Sequence, residues 1–270
     1  MEILFEVKNS TGVITLNRPK TLNALNLNMA IQLSKKLKEW EDDNAVERVI
    51  LLGEGNHFCA GGDVKSVHLS GPFSELKREF FSKEYSLNLQ IKNFPKPYLS
   101  IWKGVVMGGG VGLSIYGDYR IATDSTKFAM PETSIGFFPD VGGSFFLSRM
   151  ENNIGKYLGL TGELIQCKDL LNFGLATHYC PEDKLEILIN QYILDGSIVS
   201  HEIENYSSFS EEKLDFINKN FTGDIYAILK KITAKKNQDK LLDKLQSKCP
   251  MSLAVTTLLI NDSLKRTLKE

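Results

Sequence analysis

Short apolar runs alternate with longer amphipathic stretches over the first two thirds of the chain. The apolar runs have the length and the β-branched content of strands, and they cover residues 3–7, 12–16, 49–52, 97–102 and 119–122. After Asn26, apolar residues recur every three or four positions and predict a helix that Asn26 caps; these residues are Met29, Leu33, Leu37 and Trp40. A charged amphipathic stretch over residues 73–91 predicts another helix. Strands that alternate with helices favour an α/β fold with parallel pairing.

The last third of the chain is helical in pattern and rich in lysine and asparagine. Beyond about residue 182, apolar residues recur at helical spacing in three groups, which are Leu185, Leu188, Ile189 and Tyr192, then Ile225, Ile228, Leu229 and Ile232, and then Leu253, Val255, Leu258 and Leu259. The polar segment 197–211 predicts a loop. We therefore expect a first domain over residues 1–196 and a C-terminal helical region over residues 197–270.

Composition and charge narrow the class of protein. Of the 270 residues, 42% are hydrophobic and 24% are charged, as is ordinary for a soluble globular chain. Lys and Arg number 32 against 33 Asp and Glu, and a net charge of −1 argues against a nucleic-acid partner. No apolar run approaches the length of a membrane span, and the acidic N-terminus predicts neither a signal nor a transit peptide. The four cysteines form no CxxC pair, which favours reduced thiols over disulfides or a zinc site.

Glycines concentrate in two loops that each follow a predicted strand. The first loop contains FCAGGD at residues 58–63, and the second contains VVMGGGVGL at residues 105–113. The first loop alone is compatible with an ordinary strand-to-helix turn. The second lacks the spacing of a dinucleotide fingerprint, the lysine of a phosphate loop and the closing glycine of a nucleophile elbow. What remains is an amide donor at a helix start, and two such donors, one from each loop, would form an oxyanion hole for a polarised carbonyl.

Two acids stand in an apolar, glycine-rich stretch at residues 128–143, and they are Glu132 and Asp140. A carboxyl group in apolar surroundings has a raised pKa and acts as an acid or a base near neutral pH. For either acid alone a structural role is the favoured interpretation, Glu132 as a helix cap and Asp140 in a turn. Their occurrence together favours catalysis.

The other reactive side chains carry weaker signals. Cys59 is compatible with a nucleophile, but no histidine motif accompanies it, and a small buried thiol is the commoner case. The four histidines have no metal-ligand spacing, and His178 fits a hydrogen-bonded structural role. We therefore predict no metal site.

With these stretches the chain resembles the enoyl-CoA hydratase/isomerase (crotonase) superfamily, and within it the branch that hydrolyses 3-hydroxyisobutyryl-CoA. The segments that carry the resemblance are GVITLNRP at 12–19, LNAL at 22–25, residues 58–63, MGGGVGLS at 107–114 and residues 128–143. The resemblance implies a crotonase-like spiral of repeated ββα units followed by a C-terminal helical region, usually as a trimer. It also implies an acyl-CoA thioester substrate and no cofactor beyond the CoA of the substrate.

The resemblance also implies roles for particular residues. The amides of Gly62 and Gly109 would form the oxyanion hole, Glu132 would be the central carboxylate and Asp140 the second one. Glu84 falls where hydrolases of this branch carry a substrate-contacting glutamate. The CoA moiety would lie along the backbone of a further set, which comprises Asn23, Ala24, Leu25, Phe58, Ala60, Gly61 and Asp63.

Two departures from the superfamily pattern bear on the activity. Typical hydratases carry a glutamate two residues after the glycine triplet, where this chain has Gly112. Hydration of a double bond calls for two carboxylates around the water, so this difference favours hydrolysis. Relatives of the hydrolase branch generally continue beyond the position of Glu270, which puts part of their helical cover and trimer contacts in question for this chain.

The sequence therefore predicts hydrolysis of a short branched 3-hydroxyacyl-CoA of valine catabolism. A hydratase or isomerase of the same superfamily and a catalytically silent CoA-ester-binding subunit are the alternatives. The resemblance implies the mitochondrial matrix, with the cytoplasm as the alternative because no transit peptide is visible. We expect neither a nucleic acid nor a membrane as a partner.

Overall fold

The computed structural model describes residues 1–203 and 207–270, and the chain divides into two compact units. The first unit comprises residues 1–128 and 166–205, and the second comprises residues 129–165 and 206–270. Residues 129–165 thus group with the C-terminal helices. The sequence placed a boundary between residues 196 and 197, where the repeated ββα core was expected to end. That boundary stays a prediction.

A six-stranded sheet organises the described part of the first unit. Its strands, in spatial order, are β1 (Ile3–Lys8), β2 (Thr11–Leu16), β3 (Arg48–Gly53), β4 (Tyr98–Trp102), β6 (Tyr119–Ala122) and β9 (His178–Tyr179). β1 and β2 form an antiparallel hairpin, and every later pair in the sheet is parallel. The five predicted strands are therefore confirmed, and so is parallel pairing from β2 onward, whereas β1 and β2 pair antiparallel. A second sheet has the order β5 (Val105–Met107), β7 (Lys127–Ala129) and β8 (Ile165–Gln166).

Helices connect these strands in the first unit. They are α1 (Leu27–Asp42), α2 (Val64–Leu69), α3 (Glu75–Lys92), α4 (Gly109–Gly112), α7 (Cys167–Asn172) and α8 (Leu185–Asp195). The side chain of Asn26 accepts a hydrogen bond from the N–H of Met29 at 2.9 Å, which confirms the predicted cap of α1. Ser34 and Gln90 join α1 to α3 by two hydrogen bonds of 2.6 and 3.0 Å.

One core of the first unit forms where α8 covers the sheet. Leu185, Leu188 and Tyr192 of α8 pack against Ile50, Leu99 and neighbouring strand residues. Every residue of β4 is buried, so both faces of this strand are covered, which explains why its run lacks strict alternation. The sheet thereby positions the loops that leave the carboxyl ends of its strands.

The second unit is helical in its described residues. It contains α5 (Gly143–Ser148), α6 (Ile154–Thr161), α9 (Glu211–Asn220), α10 (Ile225–Thr233), α11 (Asp239–Gln246) and α12 (Pro250–Ser263). Arg149 joins α5 to the end of α12, because its guanidinium donates to the carbonyl oxygens of Ser263 and Arg266 at 3.2 and 2.9 Å. The three helical groups predicted beyond residue 182 correspond to α8, α10 and α12.

Four short 3-10 helices complete the described chain, and they are Pro19–Thr21, Glu132–Ile135, Glu151–Asn153 and Glu182–Lys184. The predicted loop at residues 197–211 is confirmed for residues 197–203 and 207–210, which lie outside helices and strands. It is wrong at Glu211, which begins α9, and residues 204–206 lie outside the described residues. No helix of the described chain has both the length and the apolar character that a bilayer crossing requires.

Candidate active site

The segments 23–25 and 58–63 lie side by side in the first unit. The N–H of Leu25 donates to the carbonyl of Gly61 at 2.8 Å, and the N–H of Asp63 donates to the carbonyl of Leu25 at 2.7 Å. The N–H of Ala60 in turn donates to the carbonyl of Leu22 at 3.0 Å. The structure therefore brings together the two backbone stretches that the sequence assigned to CoA, and it commits the N–H groups of Leu25, Ala60 and Asp63 to this pairing.

Asn23 holds the first of these stretches in a strained conformation. Its φ is +57°, in the left-handed region that asparagine tolerates better than most residues. Its buried side chain accepts from the N–H of Arg18 at 2.9 Å and donates to the carbonyls of Glu54 and His57 at 3.0 and 2.7 Å. The Asn23 side chain is thus fully used in fixing the loop.

Arg18, which the sequence analysis did not single out, ties the same loops together. Its guanidinium donates to the carbonyl of Ala24 at 2.6 Å and pairs with Asp63 at 3.1 Å and Glu2 at 3.0 Å. Asp63 also caps α2 by accepting from the N–H of Ser66 at 3.1 Å. Burial raises the pKa of Asp63, but the bonds from Ser66 and Arg18 outweigh it and hold the pKa below its ordinary value.

Gly62 and Gly109 converge in the first unit, as the sequence predicts. A Cβ atom built on Gly109 would lie 2.9 Å from the amide nitrogen of Gly62, closer than real Cβ contacts. Isolated bridge pairing between Cys59 and Val106 brings the two loops together. No backbone carbonyl of residues 1–203 or 207–270 accepts from the N–H of Gly62 or Gly109. Two amide donors are therefore available beside each other.

Glu84 extends from α3 to this pair of glycines. Its Oε1 lies 2.3 Å from the position of a Cβ on Gly109 and 3.7 Å from that of a Cβ on Gly62. The ring of Phe80, one turn earlier on α3, lies 3.0 Å from the same position on Gly62. Sequence reasoning placed Glu84 by resemblance but missed Phe80, although the spacing of four residues on one helix is a signal for it.

A small cavity opens next to this corner of the first unit. Its volume is about 180 Å³, and Asp63, Val67, Leu76 and Phe80 contribute to its walls. Because α1, α2 and α3 all line it, a ligand chain that leaves the two glycines on this side would meet the capped start of α2.

Glu132 is the first residue of a 3-10 helix in the second unit, and only 5% of it is exposed. Burial raises its pKa to about 8, with a further increase from the negative charge of Asp140 and a partial opposing effect of its own backbone N–H. Its Oε2 is buried and has no hydrogen-bond partner among the described residues. A carboxyl group in this state exchanges a proton near neutral pH, as a catalytic acid or base requires.

Asp140 follows a proline, as the sequence shows, and is partly exposed. It acts on Glu132 through its charge, so the two acids of the 128–143 segment do influence each other within the second unit. The carbonyl of Asp140 accepts from the N–H of Gly143 at the start of α5, which agrees with the alternative role in a turn. The two roles are compatible, since one uses the backbone and the other the side chain.

The weaker candidates have structural explanations. Cys59 is fully buried, and burial raises the pKa of its thiol to about 12, which confirms a structural thiol rather than a thiolate nucleophile. His178 bonds to Thr177 at 2.9 Å, as predicted. All four cysteines are free. Within residues 1–203 and 207–270, no group of three His, Cys, Asp or Glu side chains is arranged to hold a metal ion.

Comparison with known proteins finds relatives that match most or all of the chain in sequence. The chain is 44% identical over 214 residues to "3-hydroxyisobutyryl-CoA hydrolase, mitochondrial" of Danio rerio. This match covers 78% of this chain and 56% of that protein. It is 38% identical over 294 residues to the Homo sapiens protein of the same name, covering all of this chain and 75% of that one. This chain thus spans between about half and three quarters of the length of these relatives.

Solved structures match the whole described architecture. A carnitinyl-CoA dehydratase from Mycobacterium thermoresistibile superposes with a TM-score of 0.92 at 35% identity, covering 99% of this chain and 82% of that one. An enoyl-CoA hydratase from Rhodobacter sphaeroides 2.4.1 superposes with a TM-score of 0.93 at 32% identity, covering 100% of this chain and 81% of that one. The crotonase fold expected from the sequence is therefore confirmed.

The sequence model of one family, described as enoyl-CoA hydratase/isomerase, matches residues 11–270. That match covers nearly the entire chain, including both glycine loops and the segment with Glu132 and Asp140. The chain belongs to the enoyl-CoA hydratase/isomerase (crotonase) family.

Proposed function

We propose that this chain hydrolyses the thioester of 3-hydroxyisobutyryl-CoA to 3-hydroxyisobutyrate and CoA. The observation that carries the proposal is its similarity, over its whole length, to proteins named as hydrolases of this thioester. The structure adds paired amide donors at Gly62 and Gly109 and a buried acid at Glu132. Hydrolysis of a thioester needs these two elements, a site for the developing oxyanion and a group that delivers the nucleophile.

The amides of Gly62 and Gly109 bind the thioester oxygen in this proposal. As the carbonyl carbon becomes tetrahedral, negative charge develops on that oxygen, and fixed N–H donors stabilise it without reorganisation. The loss of one such donor typically costs about 3 kcal/mol in the activation free energy. The tight approach of Gly62 to Gly109 explains why both positions are glycine, since a side chain on either one would displace the other loop or α3.

Glu132 delivers the nucleophile in its ionised form. In one route its carboxylate attacks the carbonyl carbon, the C–S bond breaks to release CoA, and water then cleaves the mixed anhydride. In the other route the carboxylate takes a proton from water as the hydroxide attacks the carbonyl carbon, and the C–S bond then breaks while the leaving thiolate of CoA takes up that proton. Both routes consume one water and give the same acid and thiol, and both need the carboxylate that forms as pH rises through about 8.

Asp140 and Glu84 have further roles in this proposal. Asp140 positions the water or the 3-hydroxyl group and shuttles a proton, and Glu84 holds the hydroxyl end of the acyl group. The backbone of Asn23, Ala24 and Leu25 and that of Phe58, Ala60, Gly61 and Asp63 lies along CoA. Because these segments already bond to each other, CoA can form hydrogen bonds only with the backbone carbonyl and N–H groups that this pairing does not use.

A panel of thioesters tests the proposal. Purified protein is incubated with 3-hydroxyisobutyryl-CoA and with crotonyl-CoA, while a thiol-reactive dye reports free CoA and absorbance reports the double bond. We expect thiol release from the first ester and no change of the second. Double-bond loss without thiol release would instead establish hydration, which the similarity to a named dehydratase and a named hydratase supports as the second candidate. Tight binding without either reaction would establish a silent binding subunit.

The remaining expectations are proposals of the same kind. Hydrolysis proceeds without a cofactor, so a chelator and exhaustive dialysis leave the rate unchanged. The relatives are named as mitochondrial, which supports a matrix location, and tagged protein in fractionated cells tests it. The family resemblance supports a trimer, and light scattering on the eluting protein measures the mass.

A further inference from the structure

Three buried side chains form a stripe along one side of α3. Phe80, Glu84 and Asn88 are spaced four residues apart, and none is more than 3% exposed. Residues at this spacing lie one above another on a helix. Along the stripe the side chain changes from an apolar ring to a carboxylate and then to a carboxamide, although all three are equally buried.

Two residues of the stripe lie against the two glycines of the proposed oxyanion hole. Phe80 contacts the position of a side chain on Gly62, and Glu84 contacts those on both Gly62 and Gly109. Asn88 stands one turn further along α3, beyond Glu84. It is therefore the next side chain along the stripe after the carboxylate that reaches the glycines.

The carboxamide of Asn88 is buried and makes no hydrogen bond within the part of the chain that the structure describes. Neither its Oδ1 nor its Nδ2 makes a hydrogen bond to any described residue. Burial of both groups without partners costs free energy, and a leucine of similar shape would fill the space without that cost. A buried amide in this state calls for an unassigned partner, and a buried water is the usual one in proteins.

We propose that Asn88 is a positioning residue that orients Glu84 through a shared buried water. The Cβ atoms of residues four apart on a helix are about 5–6 Å apart, so one water spans the distance between their polar ends. The amide donates to the water, and the water donates to the Glu84 carboxylate. Glu84 is thereby held toward the 3-hydroxyl group of the acyl chain, an inference that rests on the function proposed above.

The proposal assigns Asn88 to substrate discrimination. Without the oriented carboxylate, the site loses its preference for an acyl group that carries a 3-hydroxyl. The quantity that reports this is the ratio of two dissociation constants, that of isobutyryl-CoA divided by that of 3-hydroxyisobutyryl-CoA. A residue with a purely structural role would change both constants together and leave the ratio unaltered.

The variants are Asn88→Leu and, as the matched control, Thr256→Val. Thr256 also has a buried side-chain oxygen without a partner among the described residues, and its variant likewise replaces a polar group by an apolar one of similar shape. Calorimetry measures binding of both esters in the Glu132→Gln background, where the ester is not consumed during the titration, and thermal unfolding measures stability. We expect Asn88→Leu to keep or raise Tm and to lower the ratio about tenfold, or about 1.4 kcal/mol. Thr256→Val should leave the ratio unchanged.

An unchanged ratio in folded Asn88→Leu would overturn the assignment. If that variant does not fold, Asn88→Asp decides, because a second carboxylate beside Glu84 should weaken binding of the hydroxylated ester selectively. Equal weakening of both esters would again overturn the proposal. The binding measurement needs no turnover, so absence of thiol release from the unaltered protein would refute the proposed hydrolysis and leave this test intact.

Discussion

Asp63 and Glu132 are both carboxylates in segments that the sequence marks as functional, and the structure treats them in opposite ways. Asp63, in the first unit, has an arginine and a backbone N–H as partners, and its pKa lies below the ordinary value. Glu132, in the second unit, is buried with one oxygen unpartnered among the described residues, and its pKa rises to about 8. The difference shows that partners, rather than residue type, separate a carboxylate that holds loops together from one that exchanges protons.

Replacement of Glu132 should give the largest effect. Glu132→Gln keeps the shape of the side chain and removes the group that delivers the nucleophile, so we expect kcat to fall by ~10³–10⁴-fold. Circular dichroism should show an unchanged fold, and Glu151→Gln, at an exposed acid of the same unit, should keep normal activity. Near-normal turnover of Glu132→Gln would remove Glu132 from the mechanism.

The same variant should remove a pH dependence of stability. In the unfolded chain Glu132 ionises near its ordinary value of 4.5, whereas in the folded protein it keeps its proton up to about 8. The folded state is therefore progressively disfavoured as pH rises between these values, by up to about 5 kcal/mol at 1.36 kcal/mol per pH unit. Glu132→Gln removes this loss. Urea unfolding at about pH 5 and about pH 9 should show a stability gain over the unaltered protein only at the higher pH. A constant difference would contradict the raised pKa.

Gly109→Ala tests the backbone half of the site. The added methyl group would lie 2.3 Å from Glu84 Oε1 and 2.9 Å from the nitrogen of Gly62, so one of the two loops must move. We expect kcat/KM to fall by ~10²–10³-fold, the effect of losing one oxyanion donor. Gly159→Ala is the control, because its methyl group would meet only the ends of flexible side chains in the interior of α6. Equal activity of both variants would exclude Gly109 from the oxyanion hole.

Local sequence signals predicted the five strands and the first helix, and they marked the segments of the candidate site. Asn26 and the apolar spacing after it fixed the start of α1, since a cap and a helix face depend on neighbouring residues alone. The resemblance supplied Glu84, because nothing in its charge marks it as buried. The grouping of residues 129–165 with the C-terminal helices was not predictable, since it arises from packing of α5 and α6 against α12, far along the chain.

The roles of Arg18 and Phe80 also depended on tertiary structure. Arg18 follows β2 in a segment whose sequence gives no sign of a special role. Its guanidinium has three partners, Glu2, Ala24 and Asp63, only because the fold brings these residues together. The sequence could indicate that glycine loops approach each other, but not which neighbouring side chain crosses between them. Such residues become visible only when the separation in space is known.

Asp63→Asn should give the smallest effect and the opposite pH dependence. Asparagine still caps α2 through its side-chain oxygen, so the variant removes chiefly the ion pair with Arg18, and we expect a loss of about 1 kcal/mol. Because the folded pKa of Asp63 lies below its ordinary value, this stability is present above that value and is lost as pH falls through the folded pKa. Unfolding of the variant and the unaltered protein should therefore converge in acid, whereas Glu132→Gln diverges from the unaltered protein toward alkaline pH. Asp63→Ala, which also loses the cap, should cost about 1 kcal/mol more at every pH. If Asp63→Asn instead lost stability increasingly above neutral pH, the two carboxylates would not differ by their partners, and the separation of a structural from a catalytic acid would fail.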